Sequence, residues 1–169
     1  MIKNTIKIAL VGQPNVGKSM LINSISNARL KVGNFSGVTV SKEQVFFDYK
    51  NFHIEIVDLP GAYSLNDYTI EEKVTKDFLN NEKYDIILNV LDSTNLQRNL
   101  LLTAELLTLD KKMIIALNMS DEAEKESILI DEIKISKIIG KPCIKKKKKK
   151  KNGITKLLDE ILLKFQSQK

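Results

Sequence analysis

Gly12-Gln13-Pro14-Asn15-Val16-Gly17-Lys18-Ser19 stands between the apolar run Ile6–Val11 and the segment Met20-Leu21-Ile22-Asn23-Ser24-Ile25. This is GxxxxGK[ST] with a strand in front and a helix behind, the setting in which the pattern cradles phosphate. Glycine permits backbone angles that a Cβ forbids, so successive N–H groups can converge on one anion. The N-terminus of the following helix adds unpaired N–H groups and the positive end of its dipole. Lys18 is placed to reach the β- and γ-phosphates, and the Ser19 hydroxyl to ligate Mg²⁺. A plain glycine turn between strand and helix would not need these fixed positions. The expected ligand is a nucleoside triphosphate.

Composition sets the frame around that loop. A chain of 169 residues with 43% hydrophobic content can bury one full core, so a single domain over residues 1–169 is expected. The net charge of +6 would suggest a nucleic-acid partner if it were spread over the fold. It is not: Lys145–Lys151 is an unbroken lysine run whose charge exceeds the whole surplus, and the rest is slightly acidic. No nucleic acid is therefore expected as a partner. The single cysteine, Cys143, cannot form an internal disulfide, which fits a reducing compartment. No stretch approaches the roughly 18–20 apolar residues of a membrane span, so a soluble, cytosolic chain is expected.

Further along, short apolar runs alternate with helical stripes. Ile6–Val11 suits a strand buried on both faces. Asn27–Ser41, with Gly33 and Gly37, loses periodicity and reads as a loop. Strands are predicted over 44–49 and 52–57 with Lys50-Asn51 as the turn, and over 84–91, broken only by Asn89. Another is predicted over 113–117, and a last one begins at Pro142-Cys143-Ile144. Helices are predicted from Leu21, Ile22 and Ile25; from Ile70, Val74 and Phe78; and from Leu96, Leu100, Ala104 and Leu107. Two more follow from Ile130, Ile133, Ile138 and Ile139, and from Ile154 to Phe165. This alternation implies an α/β fold, a mainly parallel sheet with helices on both faces.

Two more strand ends carry chemistry. Asp58-Leu59-Pro60-Gly61 closes one strand, where ligand groups gather in open α/β sheets. Asp58 can hold Mg²⁺ through water, and Gly61 can offer its N–H to a γ-phosphate. Asn118-Met119-Ser120-Asp121 is NxxD at the end of another strand. The Asp121 carboxylate can accept the N1–H and N2–H₂ donors of guanine; adenine has no matching pair and would leave it desolvated and unpaired. The ligand class narrows to GTP and GDP, and the fold to a P-loop NTPase of the Ras-like G-domain type.

Val32-Gly33-Asn34-Phe35-Ser36-Gly37-Val38-Thr39-Val40 and Asp58-Leu59-Pro60-Gly61-Ala62-Tyr63-Ser64-Leu65, with the phosphate loop and NxxD, resemble the N-terminal GTPase domain of the ferrous iron transport protein B family. That resemblance implies a switch I over 27–41, in which Gly37, Val38 and Thr39 approach the nucleotide and the Thr39 hydroxyl ligates Mg²⁺ beside Ser19 and Asp58. It implies a switch II over 58–69, and a K⁺ ion near Asn15 that promotes hydrolysis. Catalysis would rest on Lys18, Asn15, Thr39 and Gly61; Gly12–Ser19, Asp58–Gly61, Asn118, Met119 and Asp121 would hold the nucleotide. It also implies a membrane permease portion outside this chain, placement at the cytoplasmic face of a bacterial inner membrane, and oligomers formed through the membrane portion.

Two departures qualify the pattern. Ala62 stands where Ras-like proteins carry the water-orienting glutamine, so slow turnover is expected. The lysine run occupies the place of the small-residue turn that caps guanine, and adjacent like charges oppose a compact turn. Weaker nucleotide affinity and a flexible, solvated segment are expected there. An alternative, a ribosome- or RNA-associated GTPase of the Era type, would use the lysines on phosphate; no RNA-binding fold follows Phe165 to support it.

Overall fold

Successive residues of β1 (Asn4–Gly12) bury into opposite faces of one sheet: Ile6, Ile8 and Leu10 into one core, Ala9 and Val11 into the other. The computed structural model describes residues 4–147 and 152–167. The strands are β1, β2 (Arg29–Asn34), β3 (Ser41–Tyr49), β4 (Phe52–Asp58), β5 (Ile86–Asp92), β6 (Met113–Asn118) and β7 (Cys143–Lys145). The helices are α1 (Lys18–Asn23), α2 (Ile70–Asn81), α3 (Leu96–Leu107), α4 (Ser120–Lys125), α5 (Glu132–Ile139) and α6 (Asn152–Gln166). A 3-10 turn, Ser93–Asn95, leads into α3. Sheet order is β2-β3-β4-β1-β5-β6-β7. β1 runs parallel to β4 and β5, β6 to β5 and β7, whereas β2 and β3 are antiparallel to their neighbours.

Helices cover both faces. Ile154, Leu157, Leu158, Ile161 and Leu162 of α6 join Leu21 and Ile22 of α1 against the first face, as apolar residues at helical spacing must. Val74, Phe78 and Leu79 of α2 and Leu102 and Leu106 of α3 cover the second. Local signals set the helix ends. Thr69 caps α2 by accepting from the Glu72 N–H at 3.1 Å, and Asp131 caps α5 by accepting from the Lys134 N–H at 2.9 Å. Gly140, at φ 75°, ends α5.

The segment 27–41, expected as a loop, contains β2, paired with β3 from Arg29↔Phe46 to Asn34↔Ser41. Every residue of β2 is exposed, because it lies at the sheet edge and covers no core. A strand buried on neither face leaves no apolar period to find. The β5 strand begins at Ile86 rather than Tyr84, and α4 forms where no helix was expected, since Ser-Asp-Glu-Ala-Glu-Lys carries no apolar stripe. α5 falls within the predicted stretch, but Ile133 and Ile138 are 65% and 75% exposed; Ile135 and Ile139 make its packing.

Candidate phosphate and base site

The carboxyl ends of β1, β4 and β6 bring the phosphate loop, Asp58 and Asn118 to one edge of the sheet. Asn118 ties two of them together: its Nδ2 donates to the Val16 carbonyl at 3.0 Å. Gly17 makes this approach feasible, since a Cβ there would stand 2.3 Å from Asn118 Nδ2, and its φ of 90° disfavours other residues. Asn15 is exposed at φ 66°, a left-handed conformation that asparagine tolerates better than most residues. Gln13 is buried and donates from Nε2 to the Arg98 carbonyl at 2.8 Å.

Lys18 Nζ lies 3.5 Å from Asp58 Oδ1, an ion-pair distance, yet that oxygen is buried with no hydrogen-bond partner. Burial pushes the Asp58 carboxyl above the usual carboxylate range; the Lys18 ammonium opposes the shift and Glu43 adds to it. Asp58 Oδ1, confined at the end of β4 with an unused lone pair, is a hard oxygen donor of the kind that suits Mg²⁺, and Ser19 in the first turn of α1 carries a second such oxygen. Thr39 is not brought to this set: it is exposed in the loop between β2 and β3, which the Phe35 N–H closes onto the Val40 carbonyl at 3.0 Å. Gly37 and Val38 share that loop, with the Val38 N–H donating to the Phe35 carbonyl at 3.3 Å.

The segment after β4 lies directly on the phosphate loop. The Leu59 N–H donates to the Leu10 carbonyl at 3.0 Å and the Ala62 N–H to the Gly12 carbonyl at 3.2 Å. A Cβ on Gly61 would stand 2.9 Å from Pro14 Cα, so only glycine lets the two segments touch. Pro60 is held from the other side, its carbonyl accepting from Thr75 Oγ1 of α2 at 3.1 Å.

At the base end, Met119 adopts φ 57° and Asp121 falls in the first turn of α4. The lysine run departs from expectation here. Lys145 belongs to β7, and the Lys146 N–H donates to the Leu117 carbonyl at 2.8 Å. The Lys146 carbonyl accepts from the Ser120 N–H at 3.2 Å and from Ser120 Oγ at 3.1 Å. Lys146 is 3% exposed, and burial pushes its ammonium below the usual lysine range, with Asp121 opposing. Lys147 pairs with Glu124 at 2.8 Å. These three residues are therefore built into the base end and are not a solvated tail; 148–151 lie outside the described residues.

Sequence reasoning missed four side chains that brace the site. Asn89 Nδ2 donates to the Val11 carbonyl at 3.3 Å, and its Oδ1 accepts from Thr103 Oγ1 at 2.7 Å. Asn89 had left a trace as the one polar residue in a buried run. Arg98 and Glu105 reach the segment 61–65 from α3 and had left none, because they sit on a helix face that reads as solvent-facing.

Residues 6–161 match the family described as ferrous iron transport protein B. The chain is 59% identical over 160 residues to the Fe(2+) transporter FeoB of Helicobacter pylori, covering 93% of this chain and 25% of that protein. It thus spans a quarter of the length of that curated relative. The cytosolic domain of the T. maritima FeoB iron transporter in a GDP form aligns with TM-score 0.94 at 36% identity, over 99% of this chain and 66% of that one. The GMPPNP form of that domain aligns with TM-score 0.92 at 37% identity, over 96% and 64%. The fold shared with these proteins is the Ras-like P-loop G domain. Among the described residues no helix is long and apolar enough to cross a membrane.

Proposed function

The chain belongs to the ferrous iron transport protein B family, and on that footing we propose that it is a guanine-nucleotide-binding, slowly GTP-hydrolysing domain that regulates a bacterial Fe²⁺ transporter. The observation that carries this reading is the Asn118–Val16 hydrogen bond, which joins the base-reading NxxD to the phosphate loop in one site. The GDP and GMPPNP forms of the T. maritima domain support the choice of nucleotide. The transported ion, the membrane permease portion, the inner-membrane location and any oligomer belong to the longer protein. Titration with GTP, GDP and ATP tests the reading; equal affinity for ATP would end it.

Ser19, Thr39 and, through water, Asp58 would hold Mg²⁺, which when bound supplies charge neutralisation at the β- and γ-phosphates. Lys18 would exchange its contact with Asp58 for phosphate oxygens. Thr39, exposed in the loop, would reach the ion only when a γ-phosphate draws that loop inward. Thr39→Ala should therefore weaken GMPPNP by about tenfold and spare GDP, whereas Ser19→Ala should weaken both by about tenfold in Mg²⁺. Isothermal titration checks this, and equal loss of GDP and GMPPNP in Thr39→Ala would contradict the role given to it.

The lysine run enters through the main chain around Lys146. Replacing Lys146–Lys148 by Ser-Ala-Ser removes a buried ammonium and a like-charge pile-up while keeping the Ser120 and Leu117 hydrogen bonds. GDP affinity should rise by about tenfold, as expected when a desolvated charge is relieved. An unchanged GDP affinity would show that the Lys146 ammonium does not influence base binding, and a loss would show that the lysine side chains support the site instead of opposing it. The described part of the run does not favour the RNA-associated reading, since Lys146 is buried and Lys147 pairs with Glu124.

A further inference from the structure

Helix α3 contributes no residue to the nucleotide motifs, yet it touches both the phosphate loop and the segment after β4. Toward the phosphate loop, the Arg98 carbonyl accepts from Gln13 Nε2 at 2.8 Å, and Thr103 reaches Val11 through Asn89. Toward the segment after β4, the Arg98 guanidinium lies 5.0 Å over the Tyr63 ring, and the Leu65 N–H donates to Glu105 Oε2 at 2.8 Å. Between these anchors Gly61 abuts Pro14, and the Ala62 N–H is bonded to the Gly12 carbonyl. Arg98 faces both ways, its main chain held by the buried Gln13 and its side chain lying on Tyr63.

We propose that Arg98 is a positioning residue that sets the segment 61–65 relative to the phosphate loop. Its stack on Tyr63 holds that segment against α3, keeping the Gly61 N–H beside the loop where a γ-phosphate would be received. Both side chains are partly or largely exposed, so an unanchored pair would give little; Gln13 fixes the arginine backbone and lowers the ordering cost of the stack. The inference rests on the nucleotide-binding reading, because its effect must appear only when a γ-phosphate is present.

The test measures GMPPNP and GDP affinities separately for the full chain and its variants. Arg98→Ala and Tyr63→Ala should each weaken GMPPNP by about fivefold, the scale of a partly desolvated cation–π contact, with GDP held within about twofold. The double variant should be no weaker than either single one, the signature of a shared contact. Arg98→Lys and Tyr63→Phe keep a cation over a ring and should restore the wild-type ratio. The chain contains no tryptophan, so Tyr68→Trp, at an exposed position three residues beyond that segment, gives a fluorescence signal that should differ between Arg98→Ala and its parent. An unchanged GMPPNP-to-GDP ratio in Arg98→Ala, an equal loss of both nucleotides, or no rescue by lysine overturns the proposal while leaving nucleotide binding intact. A wild-type chain that binds neither nucleotide overturns the functional reading and the proposal with it.

Discussion

Asp121→Asn is expected to weaken GTP and GDP by about a thousandfold, or about 4 kcal/mol, while xanthine nucleotides gain in relative affinity. The position explains the size. Asp121 lies in the first turn of α4, two residues after the left-handed Met119, and is half-buried next to Ser120, which bonds the Lys146 carbonyl. A carboxylate there can accept two donors from guanine; an amide accepts one and sets its NH₂ against the other. Two charge-assisted hydrogen bonds of roughly 1.5–3 kcal/mol each are at stake, and the cost includes leaving the guanine donors desolvated. Xanthine carries a carbonyl where guanine carries its exocyclic amine, so the amide of the variant matches it. Calorimetric titration with GDP and XDP checks the exchange. If Asp121→Asn keeps its GDP affinity, the base is not read by NxxD in this chain.

GTP turnover is expected to run several-fold faster in KCl than in NaCl at equal ionic strength, and Asn15→Ala should abolish the difference. Ala62 leaves no glutamine to orient water, and its N–H is bonded to the Gly12 carbonyl. On the proposed reading, stabilisation would come from charge around the γ-phosphate, supplied by Lys18, Mg²⁺ and a monovalent ion that Asn15 would hold. That ion would supply positive charge where other GTPases bring an arginine. Asn15 is exposed on the rim of the phosphate loop, so its amide oxygen is free of a core role. Losing one such transition-state contact should cost about 2–4 kcal/mol, judged from single electrostatic donors in other active sites. Asn15 also shapes the loop, at φ 66°, and Asn15→Gly separates the two roles by keeping the backbone and removing the amide. Identical rates in the two salts for the wild-type chain would leave Asn15 with the backbone role alone.

The phosphate loop, the Asp58 strand end and NxxD were legible in the sequence because each needs particular residue types at short, fixed spacing. Local stereochemistry enforces that spacing: Gly17 must be glycine both for its φ and for the approach of Asn118. The parallel core strands were legible because burial on both faces writes a continuous apolar run, as in Ile86–Asp92. What stayed hidden has the opposite property. The edge strand β2 covers no core and so carries no period. The helix α4 is short and largely polar, its place owed to the turn at Met119 and to Ser120 bonding the Lys146 carbonyl. Lys146 reads as one more member of a charged run, and its burial comes from main-chain bonds to β6 and α4 and from α6 lying close to its side chain at Gly153. Arg98 and Glu105 look like ordinary surface residues of an amphipathic helix until the chain after β4 is laid across them. Their roles depend on contacts between segments 35 and 40 residues apart, and no local pattern constrains which side chains such contacts select.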